Sequence, residues 1–242
     1  MNTARTGGFT VVEVVLFLAI SGLMMIGILA GTGVAINAQR YRDSVNSLVS
    51  YMQGAYDRTA NTQNSRSDSF TCDSVAQSIS TTGAGAGDTV GATDCFILGR
   101  LLEVSGGGKQ ISSRPVYAGS AVVSAISDTE AIKNSKIFTN DTAEPAEVYE
   151  PEWGTRLTAA ASDTALDGLR ILIVRSPTSG GIRTFVSTST GPLESIVDDA
   201  NRKDMTVCVQ SQGLASFARQ GLLIAKDASG TAGIKLTADG VC

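Results

Sequence analysis

The sequence predicts an α+β fold in which one long N-terminal helix, its first half in lipid, packs its second half on an antiparallel β-sheet. Two observations carry this. From Phe9 to Ile36 the chain reads FTVVEVVLFLAISGLMMIGILAGTGVAI, 28 residues with the single charge Glu13, and beyond it apolar residues persist only at helical spacing. After Asn61 the composition shifts to Gly, Ser, Thr and Ala, with short β-branched runs set between turn residues. A chain of 242 residues is long enough to bury a real core, and we read one soluble domain after the helix.

At ~1.5 Å per residue the apolar run is longer than a hydrocarbon core of ~30 Å, so it is long enough to cross a bilayer. It is too long for a cleaved secretory signal, carries an acid four residues into its apolar part, and lacks an A-x-A site. An ordinary single-pass anchor leaves Glu13 unexplained, because a mid-bilayer acid costs roughly 2.5–3.5 kcal/mol. Gly22, Gly27, Gly31 and Gly33 lie within the run, and small residues there permit close helix contact in lipid.

Past Ile36 the pattern becomes one-sided. Val45, Leu48, Val49, Met52, Ala55, Tyr56 and Thr59 fall at helical spacing, while Arg40, Arg42, Asp43, Gln53 and Asp57 take the remaining positions. This reads as one continuous helix of about 50 residues that ends within Asn61 to Asp68.

The remainder reads as strands. Cys95 to Val104, then Gly106-Gly107-Gly108-Lys109 and a second run, predict a hairpin. Leu169 to Val174 and Ile182 to Val186, around Ser176-Pro177-Thr178-Ser179-Gly180-Gly181, predict a stronger one. Met205 to Val209, Leu222 to Ala225 and Ile234 to Leu236 supply further strands of a sheet laid on the helix. Ser120 to Phe138 fits an inserted helix or a connecting strand, and Thr81 to Thr93 a loop. Glu144 to Glu152, with four acids around Pro145 and Pro151, reads as a solvated acidic loop, its spacing matching no calcium loop.

The absence of histidine removes the commonest general base and the commonest zinc ligand. No G-x-S-x-G or S-x-x-K unit suggests a nucleophile, so we expect no catalytic residues, cofactor or metal site. Cys72, Cys95, Cys208 and Cys242 form no C-x-x-C pair and read as disulfides, which require an oxidising, exported setting. Three pairings are open to them. Nearest neighbours, Cys72 with Cys95 and Cys208 with Cys242, are the expected choice, each worth roughly 3–4 kcal/mol in the chain-entropy model. Net charge is −4; residues 62–168 hold fourteen acids against seven bases, and only the last third is mildly basic, which makes DNA a weak candidate partner.

Thr6-Gly7-Gly8-Phe9-Thr10-Val11-Val12-Glu13 resembles the class III signal of type IV pilins and type II secretion pseudopilins. The resemblance implies a leader, residues 1–8 with Arg5 its only charge, cut by a prepilin peptidase between Gly8 and Phe9, and N-methylation of the new N-terminal Phe9. It implies further a transmembrane and filament-core helix over 9–36, an amphipathic continuation over 37–62, and a soluble pilin-like β-sheet domain over 63–242. Glu13 then sets assembly register: in an apolar filament core an unpaired carboxylate is expensive, so it is driven to match an adjacent N-terminal amine. A carboxylate in the first turn also suits the helix dipole.

The partners so implied are other pilin subunits in a helical filament, the prepilin peptidase, an inner-membrane assembly platform and membrane lipid. The chain would begin in the cytoplasmic membrane and finish in an extracellular or periplasmic filament. Mature pilins often carry a proline further along the helix; this chain has Ala30 there and no proline before Pro115. A disulfide near the C-terminus, as Cys208 with Cys242 would make, also resembles the family. The implied function is that of a minor pilin-like structural subunit, in systems serving adhesion, twitching, secretion or DNA uptake. The alternative is a membrane-tethered binding or adhesion module that does not polymerise.

Overall fold

The computed structural model describes residues 8, 10–62, 69–81, 87–88, 93, 95–119, 127–141, 144–160, 162, 164–211, 219–228, 230–237 and 242. Helix α1, Val11–Ala60, runs unbroken for 50 residues. No proline removes a backbone donor along it, and the glycines at 22, 27, 31 and 33 leave its hydrogen-bond ladder whole. It stops where the Asn61 N–H returns to the Asp57 carbonyl at 2.8 Å. Residues 63–68, the rest of the expected terminating stretch, lie outside the described residues.

Only the C-terminal half of α1 is packed. Tyr41, Ser44, Val45, Leu48, Met52, Ala55, Tyr56 and Thr59 are buried, and their spacing of three or four residues places them on one face. That face meets strands from two antiparallel sheets, which refines the single sheet expected from the strand pattern.

The larger sheet contains β3 (Phe96–Ser105), β4 (Gln110–Ala118), β5 (Ile137–Thr139), β6 (Glu147–Tyr149), β8 (Arg170–Arg175) and β9 (Ile182–Ser187). Its order is β5-β4-β3-β8-β9, with β6 also pairing β4. The smaller sheet contains β7 (Thr155–Ala159), β10 (Met205–Ser211), β11 (Arg219–Ile224) and β12 (Ile234–Leu236), in the order β12-β11-β10-β7. A separate hairpin joins β1 (Phe70–Asp73) to β2 (Ser78–Thr81).

Both predicted hairpins form, as β3–β4 and β8–β9. The β3–β4 turn runs through Gly106, Gly107 and Gly108, all at positive φ, which glycine adopts without steric cost. Gly108 is further constrained, because a Cβ there would lie 2.2 Å from the Leu157 carbonyl oxygen. Pro115 sits in β4 between the end of the β6 pairing at Ser113 and the start of the β5 pairing at Val116, where the ladder on that side is interrupted.

The segment left open between helix and strand is both. Its described part forms α2 (Asp128–Asn134), capped by Ser127, and then β5, while residues 120–126 lie outside the description. Most of the 81–93 loop lies outside it too. The acidic segment 144–152 is not simply a solvated loop. It contains β6, and Glu144, Glu147 and Glu150 bond to Arg100, Arg58 and Gln110.

Among the described residues three apolar clusters hold the domain. The main one lies between α1 and the inner faces of both sheets; the second lies on the outer face of the larger sheet, where Leu101, Leu172 and Phe185 meet Ile132 of α2 and the turn Leu193–Val197. A small third cluster, with Cys72, Cys95 and Phe138, seats the β1–β2 hairpin. Tyr56 reaches through the main core to Thr184, and its ring is so close to the chain at Gly233 that a Cβ there would fall 2.4 Å away.

The two halves of α1 therefore respond differently to truncation. Leu48, fully buried, changed to Ala lowers domain stability by about 2–5 kcal/mol through lost transfer energy and a residual cavity. Val34→Ala, on the unpacked half, leaves it unchanged within about 0.5 kcal/mol. Chemical denaturation of the detergent-solubilised chain, followed by near-UV circular dichroism, checks both.

Candidate functional site

The free half of α1 and its junction with the domain are the features that no folding requirement explains. At the start of the helix Thr10 is the N-cap. The Glu13 N–H donates to Thr10 Oγ1 at 3.3 Å, and Thr10 donates its own N–H and hydroxyl to Glu13 Oε2 at 2.9 and 3.1 Å. This reciprocal capping box satisfies orphan donors of the first turn. Both bonds to the carboxylate use Oε2, so among the described residues Oε1 is left open.

Gly8 precedes the cap in open surroundings, with nothing within 4 Å of a Cβ built on it. Phe9, expected to carry the cleaved and methylated N-terminus, lies outside the described residues, as do residues 1–7. Thr10 was not singled out as functional from sequence; the T-x-x-E spacing to Glu13 was the available signal.

From Val14 to Gln39 no residue is charged, and this stretch spans ~39 Å at helical rise. Val11, Phe17, Leu23 and Val34 are each at least 70 % exposed, and these positions point in several directions around the helix axis. A helix apolar all round is stable in lipid or inside protein, and here none of the described residues of the domain covers it. It is long and apolar enough to cross a membrane.

Buried polar groups fix where the helix enters the domain. The Tyr41 hydroxyl donates to the Val209 carbonyl at 2.8 Å. Ser44 Oγ donates to the Glu152 carbonyl at 3.0 Å and lies 2.6 Å from Thr155 Oγ1. Further along, Tyr56 Oη and Thr184 Oγ1 are 2.9 Å apart, and burial pushes the Tyr56 phenol up to about 12, so it stays neutral. An axial slip of α1 would strand these groups, at about 1–3 kcal/mol for each one left unsatisfied.

The cysteines form two disulfides, Cys72–Cys95 and Cys208–Cys242, with Cα separations of 5.9 and 6.0 Å. The first ties β1 to the residue before β3. The second ties the chain terminus to β10, in the interior of the smaller sheet.

The densest polar cluster is a clamp, also unforeseen from sequence. Asp128, at the start of α2, accepts from Ser176 Oγ at 2.6 Å and from Arg183 Nε and Nη2 at 2.9 and 2.6 Å. Arg183 extends to Asp227, which also holds Arg202. The clamp joins α2, the β8–β9 hairpin and the segment after β11. Its groups are bonded to one another, and among the described residues no group of three His, Cys, Asp or Glu side chains converges on a metal position.

The Ser176 hydroxyl, with the Arg183 guanidinium, depresses the Asp128 carboxyl from 3.8 to about 2. The unfolded chain therefore takes up this proton first as pH falls. The stabilisation, on the order of 2 kcal/mol, is complete above about pH 4 and lost as pH drops through about 2. Urea titrations should show wild type more stable than Asp128→Asn at neutral pH, with the gap closing across that window.

The architecture is a pilin-like fold: one long N-terminal helix, half free and half packed against antiparallel β-sheet. Comparison with known proteins finds no matching family model, no matching curated protein and no matching solved structure.

Proposed function

We propose that this chain is a minor pilin-like structural subunit of a type IV pilus or related pseudopilus. The observation that carries the reading is the uncovered apolar half of α1, which begins at the Thr10–Glu13 capping box and continues into a helix half-buried against a disulfide-bonded β domain. A prepilin peptidase removes residues 1–8, and Phe9 becomes the N-methylated first residue. The subunit waits in the cytoplasmic membrane with α1 in lipid and its domain on the oxidising side. It then enters the filament at an assembly platform, its stem exchanging lipid contacts for those of other subunits.

The capping box gives Glu13 a defined part in both states. In lipid, the bonds from Thr10 reduce the cost of a carboxylate by keeping one oxygen hydrogen-bonded. The open Oε1 accepts the N-terminal amine of a neighbouring subunit, and that charge pair sets axial register. For DNA, the segment of suitable sign is the mildly basic last third of the chain.

Mass analysis of the N-terminus of the mature chain tests processing: it should begin at N-methyl-Phe9, and an intact Met1 or a cut beyond Ala30 would sink the reading. Two variants separate charge from capping. Glu13→Ala loses both, whereas Glu13→Gln keeps an N3 side chain able to close the capping box. Both should insert into membranes, and both should be depleted from sheared filaments. Normal incorporation of Glu13→Gln would assign Glu13 to capping alone, normal incorporation of Glu13→Ala would overturn the register role, and absence of the wild-type chain from sheared filaments would favour a tethered module that does not polymerise.

A further inference from the structure

The chain contains one tryptophan, and the fold holds it outward. Trp153 is 54 % exposed, although a tryptophan side chain ordinarily contributes a large buried area. Its backbone is left-handed at φ 56°, ψ 29°, a region costly for a bulky residue. Strain of this kind persists only where the surroundings enforce it. Here they do: the buried hydroxyls of Ser44 and Thr155 lie 2.6 Å apart and each 3.0 Å from the Glu152 carbonyl, fastening the turn to α1 just before the ring.

The ring's position is the second observation. The Arg40 guanidinium stacks over it at 4.6 Å, and Arg40 is the first charged residue after the uncharged stretch from Val14. Helical side chains lean toward the N-terminus, so this pair lies at the level where the apolar stem meets the domain. Arg42 projects from another side of α1 and lines a hollow with Tyr41, Val45 and the half-exposed Leu236. Among the described residues the acids adjacent in sequence are Asp43, beside Arg42, and Glu152, beside Trp153. Tryptophan beside arginine, at the end of a membrane-length helix, is the chemistry of the bilayer interface, where an amphipathic ring sits among headgroups and a guanidinium forks onto phosphate.

Resting on the reading that α1 crosses a membrane, we propose that the domain seats directly on lipid headgroups, with Trp153 and Leu236 at the boundary on different flanks of α1 and Arg40 and Arg42 on lipid phosphates. The occupant is lipid rather than a second copy because the patch adjoins the stem, with Trp153 beside Arg40 and Leu236 beside Arg42 where the helix enters the domain. The seat fixes how far α1 is drawn into the bilayer, and therefore the depth at which Glu13 is presented.

The sole tryptophan is its own reporter. The full chain is reconstituted into phosphatidylcholine vesicles with and without phosphatidylglycerol, using lipids brominated either near the headgroup or near the chain end. Flotation independently reads whether α1 is inserted. The expected result is flotation with blue-shifted emission, quenched strongly by shallow bromines and weakly by deep ones. The double variant Arg40→Gln, Arg42→Gln should float equally but lose most of the shift and the shallow quenching.

Flotation with emission at the position of water-exposed tryptophan and no bromine quenching overturns the seat while leaving the membrane reading intact. Failure to float overturns both. A shift that follows the protein-to-lipid ratio and ignores bromine position assigns the patch to a second copy of the chain and overturns the lipid seat. Full quenching retained in the double variant overturns the role given to the arginines.

Discussion

A single unbroken helix that must satisfy two environments is the constraint on which the rest of the chain depends. In lipid every backbone polar group must be bonded within the segment, and α1 achieves this through its ladder, with a capping box at the one end that would face hydrocarbon or headgroup. In the domain the same helix must present one narrow face. The change falls near Arg40, where the all-round apolar pattern ends and the stripe of Tyr41, Val45, Leu48 and Met52 begins. Because no proline or break separates the halves, rotation or sliding of one is imposed on the other.

That coupling gives the buried polar groups of α1 their significance. Ser44 and Thr59 are fully buried on a face whose neighbours are leucine, methionine and aromatic residues, where an apolar side chain would pack as well. Each is bonded: Ser44 to the Glu152 carbonyl, and Thr59 to the carbonyl of Ala55 and, at 3.4 Å, to that of Ile173. Apolar contacts tolerate a sliding helix, whereas these bonds do not. Together with Tyr41 on β10 and Tyr56 on β9 they lock α1 to both sheets at defined heights, so a force on the stem is delivered to the domain at those points.

Local rules made much of this legible. The helix, the two principal hairpins and strands over 205–209, 222–225 and 234–236 follow from period and turn chemistry, although β10 runs on to Ser211 and β11 already begins at Arg219; Gly106 to Gly108 announce their turn because few other residues adopt that backbone. The division of strands into two sheets was not legible, because β7 joins β10 across about 50 residues and no local signal selects that partner. The acids at 144–152 misled for the same reason: Arg100 and Arg58, which engage Glu144 and Glu147, are distant in sequence. At the site, Glu13 was legible as an anomalous acid, Thr10 was missed although its T-x-x-E spacing carried the signal, and Trp153 was not legible at all, since its exposure depends on a turn bolted to Ser44.

The placement of the second disulfide follows from the same load path. β12 has three residues and forms an edge of the smaller sheet, so by itself it is the element most readily peeled away. Yet Ile234 in β12 is part of the core against α1, and its carbonyl accepts from Gln53 at 3.2 Å. A helix drawn along its axis therefore also pulls on this weak edge. Joining Cys242, beyond β12, to Cys208 in β10 converts that edge into a closed loop whose far end is an interior strand held on both sides. Tyr41 bonds to Val209, the next residue, so the stem's first anchor in the domain and the covalent staple converge on adjacent positions of one strand. A domain carried on a single helix gains most from a crosslink at that strand.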